Sequence, residues 1–131
     1  MSPRGRPRRA GADEEILAVA LQMLREKGYR ELNVDEVAER AGVAKTTVYR
    51  RWPTKGALVA AAIAPLAPAG EGDLASVLRE AAALFQLIAG VDDVEVLRAV
   101  AAPQRARIRE LVDSDLTADM LLGALIARIV L

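Results

Sequence analysis

The stretch VDEVAERAGVAKTTVYRRW, residues Val34 to Trp52, predicts two short helices joined by a tight turn. Apolar residues recur at i, i+3, i+4 and i+7 in its first half, which is the period of an α-helix with one buried face. Asn33 is a good N-cap for this helix, and Gly42 suits the left-handed conformation that commonly ends a helix. A second helix is expected to begin near Lys45. The apolar positions of the first helix are Val34, Val37, Ala38 and Ala41.

The second predicted helix has one apolar side and one polar side. Val48 and Trp52 are four residues apart and are expected to point to the core. The opposite side then carries hydrogen-bond donors and no carboxylate. A helix, a short turn with Gly and a second helix with a basic outer side form a helix-turn-helix, whose second helix enters the major groove of DNA. The alternative is an ordinary helical hairpin with a solvated face. The outer side consists of Lys45, Thr46, Tyr49 and Arg50.

The composition of all 131 residues favours an all-α protein that is not an enzyme. The chain is rich in Ala, which favours helices over strands. It contains no Cys and no His, so thiol nucleophiles, imidazole bases and most metal-ligand sets are absent, and no cofactor is expected. No apolar run approaches the roughly 18 uncharged residues that a membrane span needs, and we expect a cytoplasmic protein.

The formal net charge of zero conceals a difference between the two halves of the chain. Residues 1–56 contain 12 Lys and Arg against 8 Asp and Glu, whereas residues 57–131 contain 6 against 10. A basic N-terminal half and an acidic remainder fit a polyanionic partner for the first half alone. A chance difference of this size is the alternative.

Residues 1–12 are expected to form a flexible basic arm. The first eleven, MSPRGRPRRAG, contain four Arg, two Pro and no acidic side chain, and such a segment cannot build a core. The run from Arg4 to Arg8 resembles an AT-hook, in which arginines enter a narrow minor groove. A solvated tail is the competing interpretation. The arginines that would enter the groove are Arg4, Arg6 and Arg8.

Further helices are predicted on both sides of the opening stretch. An apolar stripe from Asp13 to Lys27 indicates a first helix that Gly28 closes, completing a three-helix head. After Trp52, Pro53 ends the recognition helix and Thr54 caps a fourth. Lys55 then lies in the first turn of that helix, where it could bind a phosphate or remain a solvated charge.

The run GYRELNVDEVAERAGVAKTTVYRRWPTKGALVAAAI, residues 28–63, resembles the DNA-binding head of the TetR family of bacterial transcriptional repressors. The resemblance implies a homodimer that binds a palindromic operator in double-stranded DNA, and a C-terminal helical domain that dimerises and binds an inducer. It further implies that Thr46, Tyr49 and Lys55 contact DNA, with Lys45, Thr47 and Arg50 reading the sequence. Two positions depart from the family pattern: Ala44 replaces a capping Ser, and Asp35 replaces a basic contact that some members carry.

The C-terminal half is also predicted to be helical. Asp73 should cap a helix over residues 74–89, and residues 94–100 should form a short helix separate from one that opens at Pro103. Arg105, Arg107 and Arg109 are interpreted as solvated. The last segment, residues 116–131, is apolar almost all round and resembles the dimerisation helix of the family, with a central helix of the monomer as the alternative.

These observations divide the chain into three parts: a basic arm over residues 1–12, a helix-turn-helix domain over residues 13–64 and a helical dimerisation and ligand-binding domain over residues 65–131. That last domain is shorter than is usual in the family, so it is expected to be shortened or incomplete. The expected function is a sequence-specific repressor that a small apolar ligand releases from DNA. The alternative is a ligand-unresponsive helical protein-interaction module derived from such a regulator.

Overall fold

The computed structural model describes residues 6–66 and 72–130, which form seven α-helices, one 3-10 helix and no strand. The predicted all-α fold is confirmed. The chain divides into two compact units at the bond between Ala62 and Ile63. The helices are α1 (Arg6–Glu31), α2 (Val34–Ala41), α3 (Lys45–Arg51), α4 (Lys55–Ile63), α5 (Leu74–Leu87), α6 (Val94–Leu111) and α7 (Asp115–Val130), and the 3-10 helix is Ala64–Leu66.

The first unit contains the predicted three-helix head, in which α1 packs on α2 and α2 packs on α3. Helical backbone in α1 is interrupted at Gly28, whose φ of 81° and ψ of 172° are not helical, as the sequence predicts for a closing glycine. The core of this unit is apolar, and its side chains come from all three helices. It includes Ile16, Ala20, Met23, Leu24, Tyr29, Leu32, Val34, Val37, Ala38 and Val48.

The start of α1 differs from the sequence-based expectation. The helix begins at Arg6 rather than near Asp13, so the backbone of Arg6 and Arg8 is helical where extended chain is predicted. Pro7 permits this because it lies in the first turn, where a missing N–H costs no intrahelical hydrogen bond. Arg4 lies outside the described residues, and so do the side chains of Arg6 and Arg8.

The second unit contains α5, α6 and α7, each of which packs on the other two. Asp73 caps α5 by accepting a 2.9 Å hydrogen bond from the backbone N–H of Ser76, as predicted. The prediction of two short helices around Pro103 is wrong, because α6 continues through this residue. The apolar side chains of Val96, Val100 and Ile108 hold both halves of α6 in one core, which offsets the hydrogen bond that proline cannot donate.

Arg105, Arg107 and Arg109 of α6 are not simply solvated, which corrects another expectation from the sequence. Arg105 Nε donates to Oδ1 of Asp119 over 2.5 Å, and Arg109 Nε donates to Oδ1 of Asp115 over 3.0 Å. Arg107 pairs with Glu110 on its own helix. Because Asp115 and Asp119 lie on α7, Arg105 and Arg109 join α6 to α7.

Helix α7 buries little of its own surface. Among its described side chains Ala118 and Leu122 are the buried ones, whereas Leu116 is 69% exposed and Met120 is 66% exposed. Among residues 6–66 and 72–130, no helix combines the length and the apolar character that crossing a membrane would require.

Candidate nucleic-acid interface

Hydrogen bonds cap both ends of α2, the helix that precedes the turn into α3. Asn33 Oδ1 accepts a 2.8 Å hydrogen bond from the backbone N–H of Asp35, which fixes the start of the helix. At the other end Gly42 adopts φ 72° and ψ 30°, and Val43 N–H donates to the Ala38 carbonyl over 3.0 Å. This left-handed ending turns the chain sharply into α3.

Helix α3 presents the outer face that the sequence predicts, which is Lys45, Thr46, Tyr49 and Arg50. All four residues are exposed, Tyr49 to 41%. Val48 on the inner side is fully buried, so the orientation of the helix is fixed by the core. Thr47, which the family pattern makes a reader of DNA sequence, is half-buried, and so is Trp52.

Ala44 occupies the N-cap position of α3 and makes no side-chain hydrogen bond to the helix. The first turn is held instead by the backbone, with Thr47 N–H donating to the Ala44 carbonyl over 2.9 Å. A side-chain oxygen at this position would satisfy one of the first N–H groups of the helix. The start of α3 therefore lacks a stabilising contact that a capping Ser would supply.

A carboxylate lies at the outer face, contrary to the expectation that the face carries donors alone. Asp35 belongs to α2, yet its Oδ1 accepts a 3.3 Å hydrogen bond from the Tyr49 hydroxyl. Its Oδ2 lies 3.9 Å from Nζ of Lys45. Partial loss of hydration, together with the negative charge and hydrogen bond of Asp35, raises the pKa of the Tyr49 phenol. The sequence pattern missed this contact because it joins two helices.

Lys55 is engaged within the head. Its Nζ donates to the backbone carbonyl of Arg30 over 3.3 Å and lies 4.5 Å from the centroid of the Tyr29 ring. Thr54 caps α4 as predicted, since its hydroxyl accepts a 3.0 Å hydrogen bond from the backbone N–H of Ala57. Lys55 thus joins the first turn of α4 to the end of α1. Because its ammonium group has three donors, one hydrogen bond to Arg30 leaves two N–H groups that can bind a phosphate.

Ion pairs join the helices of the head to one another. Arg51, at the end of α3, pairs with Asp13 of α1 over 2.6 Å. Lys27 of α1 pairs with Glu36 of α2 over 2.8 Å. The Lys27 hydrogen bond and the charges of Lys27 and Arg40 lower the pKa of Glu36, although partial desolvation opposes them.

An exposed basic helix on a buried three-helix scaffold, entered through a left-handed glycine turn, defines the class of helix-turn-helix DNA-binding domains. Sequence comparison shows which family this domain resembles. Residues 16–62 match the family model described as bacterial regulatory proteins, tetR family. Over these residues the chain resembles the DNA-binding domain of the tetR family.

Bacterial transcriptional regulators resemble a segment of the chain. The HTH-type transcriptional regulator YdeS of Bacillus subtilis is 47% identical over 58 residues, 44% of this chain and 29% of that protein. The DNA-binding transcriptional repressor TetR of Mycobacteroides abscessus is 46% identical over 63 residues, 48% of this chain and 31% of that protein. The HTH-type transcriptional regulator EthR of Mycolicibacterium smegmatis is 41% identical over 69 residues, 50% of this chain and 32% of that protein.

The similarity is confined to a part of each relative. The matched segments span about a third or less of the length of these curated proteins. No solved structure matches the chain. The family model, which matches residues 16–62, bears on the head.

Proposed function

We propose that this protein is a transcriptional regulator that binds a palindromic DNA operator as a homodimer. The observation that carries the proposal is the outer face of α3, which is exposed and basic on a head of the tetR family. In this proposal Lys45, Thr46, Thr47 and Arg50 address base edges or nearby phosphates, and Tyr49 and Lys55 bind phosphates. Arg4, Arg6 and Arg8 bind the flanking minor groove.

A second copy of the chain is proposed to pack on the exposed side of α7. Leu116, Met120, Gly123 and Ala127 follow one another at spacings of four, three and four residues, which places them on one face of the helix. All four are exposed, and a Cβ added to Gly123 would meet no atom within 4 Å. We call this set the α7 stripe. A glycine with open space on an apolar face allows a partner helix to approach closely.

The regulator is proposed to act as a repressor that a small apolar ligand releases. The second unit offers an aliphatic interior with one aromatic side chain, Phe85, and one buried polar side chain, Gln104. The Oε1 atom of Gln104 has no hydrogen-bond partner among the described residues. A ligand that is mostly apolar and carries one donor would satisfy this atom. The ligand would release the protein from DNA by binding more tightly to a dimer conformation in which the spacing of the two heads does not match that of the two half-sites.

Selection from a random duplex pool, followed by fluorescence anisotropy at two salt concentrations, tests the proposal directly. We expect a palindromic consensus with half-sites about one helical turn apart. We also expect the affinity for this consensus to exceed the affinity for random duplex by at least about a thousandfold. Equal affinity for the two DNAs at both salt concentrations would overturn the repressor function.

The alternative is a helical protein-interaction module derived from such a regulator, which binds no ligand and little DNA. Ala44 favours it, because α3 starts without a side-chain cap. In this case the chain heterodimerises with a different protein through α7, has the mass of a single chain on its own, and selects no consensus from the pool. The selection experiment and the solution mass together separate the two functions.

A further inference from the structure

The position of Asp35 carries an inference about how the outer face behaves before DNA binds. Its carboxylate is held at the start of α2, where Asn33 fixes the backbone N–H of the same residue over 2.8 Å. From there it reaches across the turn to two side chains of α3, the hydroxyl of Tyr49 and the ammonium of Lys45. These are two of the side chains that the proposed function directs towards DNA.

A DNA phosphate and the Asp35 carboxylate have the same requirements. Each is an anion that accepts hydrogen bonds from hydroxyl and ammonium donors. The hydroxyl of Tyr49 has a single hydrogen, so it can donate to Asp35 or to a phosphate, but not to both. A phosphate that approaches Tyr49 also meets the negative charge of Asp35, whose side chain is 54% exposed.

We propose that Asp35 occupies the place of a DNA phosphate in the free protein and competes with DNA for Tyr49 and Lys45. This inference rests on the proposed DNA-binding function. Asp35 thereby weakens binding to DNA of any sequence. Operator contacts that do not depend on Tyr49 or Lys45 are unaffected, so non-specific complexes, which consist almost entirely of phosphate contacts, lose the larger share of their affinity.

The substitution Asp35→Asn tests the competition, because it removes the charge and retains the size of the side chain. We expect it to tighten binding to a random 20-bp duplex by about five- to tenfold at 0.1 M salt. We also expect the slope of log affinity against log salt to steepen by about one, the value for one additional phosphate contact. Asp35→Ser serves as a second variant without a carboxylate.

Two controls separate competition from a general effect of charge. Glu39→Gln removes an equal charge from α2, one turn further on, at an exposed residue with no ion pair among the described residues. It should leave the affinity within about twofold of the wild type. In a Tyr49→Phe background, the gain from Asp35→Asn should shrink, because the hydroxyl for which Asp35 competes is gone. Equal gains for Asp35→Asn and Glu39→Gln would overturn the inference.

A measurement without DNA tests the contact on its own. In the free protein, Asp35→Asn should lower the pKa of the Tyr49 phenol towards its ordinary value, which NMR titration of the two labelled tyrosines can follow. If the wild type binds DNA and Asp35→Asn weakens that binding or leaves it unchanged, the inference is overturned and the proposed function is retained. If neither the wild type nor Asp35→Asn binds any duplex at low salt, the inference and the proposed function are both overturned.

Discussion

The ammonium of Lys55 lies over the ring of Tyr29, 4.5 Å from its centroid, and links the start of α4 to the end of α1. Tyr29 is 8% exposed, so the cation sits on a ring that is itself fixed in the core. The family pattern makes Lys55 a phosphate contact, whereas the free head uses it as a structural cation.

Lys55→Met should therefore destabilise the head as well as weaken DNA binding. A cation–π contact of this kind contributes about 0.5–1 kcal/mol, so the midpoint of thermal unfolding should fall by a few degrees. Tyr29→Phe retains the ring face and should leave the contact in place. Calorimetry of the free protein measures the midpoint of thermal unfolding of both variants. An unchanged midpoint for Lys55→Met would contradict the structural role of Lys55.

Lys45 and Tyr49 should respond differently to truncation, because one is proposed to read bases and the other phosphates. Tyr49→Ala should weaken binding to all operator variants by a similar factor. Lys45→Ala should in addition change the preference between variants by about 1–3 kcal/mol at one base position. Anisotropy with a set of singly substituted operators measures this, and equal losses on every variant would contradict base reading by Lys45.

Gly42→Ala should destabilise the head, because the φ of 72° at Gly42 lies in the left-handed region. A Cβ at Gly42 would meet no atom within 4 Å, so the cost of Gly42→Ala is a backbone cost of about 1 kcal/mol. Gly11→Ala is the matched control in the same unit, since Gly11 also has open space but lies within α1. It should stabilise the head by about 0.5–1 kcal/mol. Denaturant titration of both variants should give opposite signs.

Local signals predicted the head well because each of its decisive features is encoded within a few residues. Asn33 and Thr54 cap helices, Gly42 ends one, and Val48 is buried, all as the sequence predicts. The contacts of Asp35 were missed for a physical reason. Asp35 and Tyr49 are 14 residues apart on different helices, and no helical period relates them.

The second unit was harder to predict because its contacts depend on packing. Pro103 is a strong local signal for a helix start, yet α6 runs through it because apolar side chains on both sides share one core. The spacing of Arg105, Arg107 and Arg109 looks like an exposed charged face. The pairing of Arg105 with Asp119 arises only when α7 packs beside α6.

Asp119 should make the second unit sensitive to acid. The hydrogen bond from Arg105 holds the pKa of Asp119 below its ordinary value. A carboxylate with a lowered pKa in the folded state stabilises the protein above its unfolded pKa of about 4, and this stabilisation is lost as the pH falls through the folded pKa. Asp119→Asn should thus lower the free energy of unfolding at pH 7, and the difference from the wild type should disappear at strongly acidic pH. Asp113→Asn, at an exposed residue with no ion pair among the described residues, is the matched control for the loss of one carboxylate and should change the free energy of unfolding at pH 7 little.

The α7 stripe makes the final prediction, which concerns assembly. Met120 is 66% exposed and lies at the centre of the stripe, so a charge placed there would be buried and unpaired in the proposed homodimer. Sedimentation equilibrium at micromolar concentration should give twice the chain mass of 14.0 kDa for the wild type and the single mass for Met120→Glu. Ala102→Glu adds the same charge at an exposed residue of α6 outside the stripe, and it should leave the mass unchanged. Because the proposed function links two heads on one operator, Met120→Glu should also reduce binding to the full palindrome far more than binding to a single half-site. Dimerisation that persists in Met120→Glu would show that the stripe is not the interface.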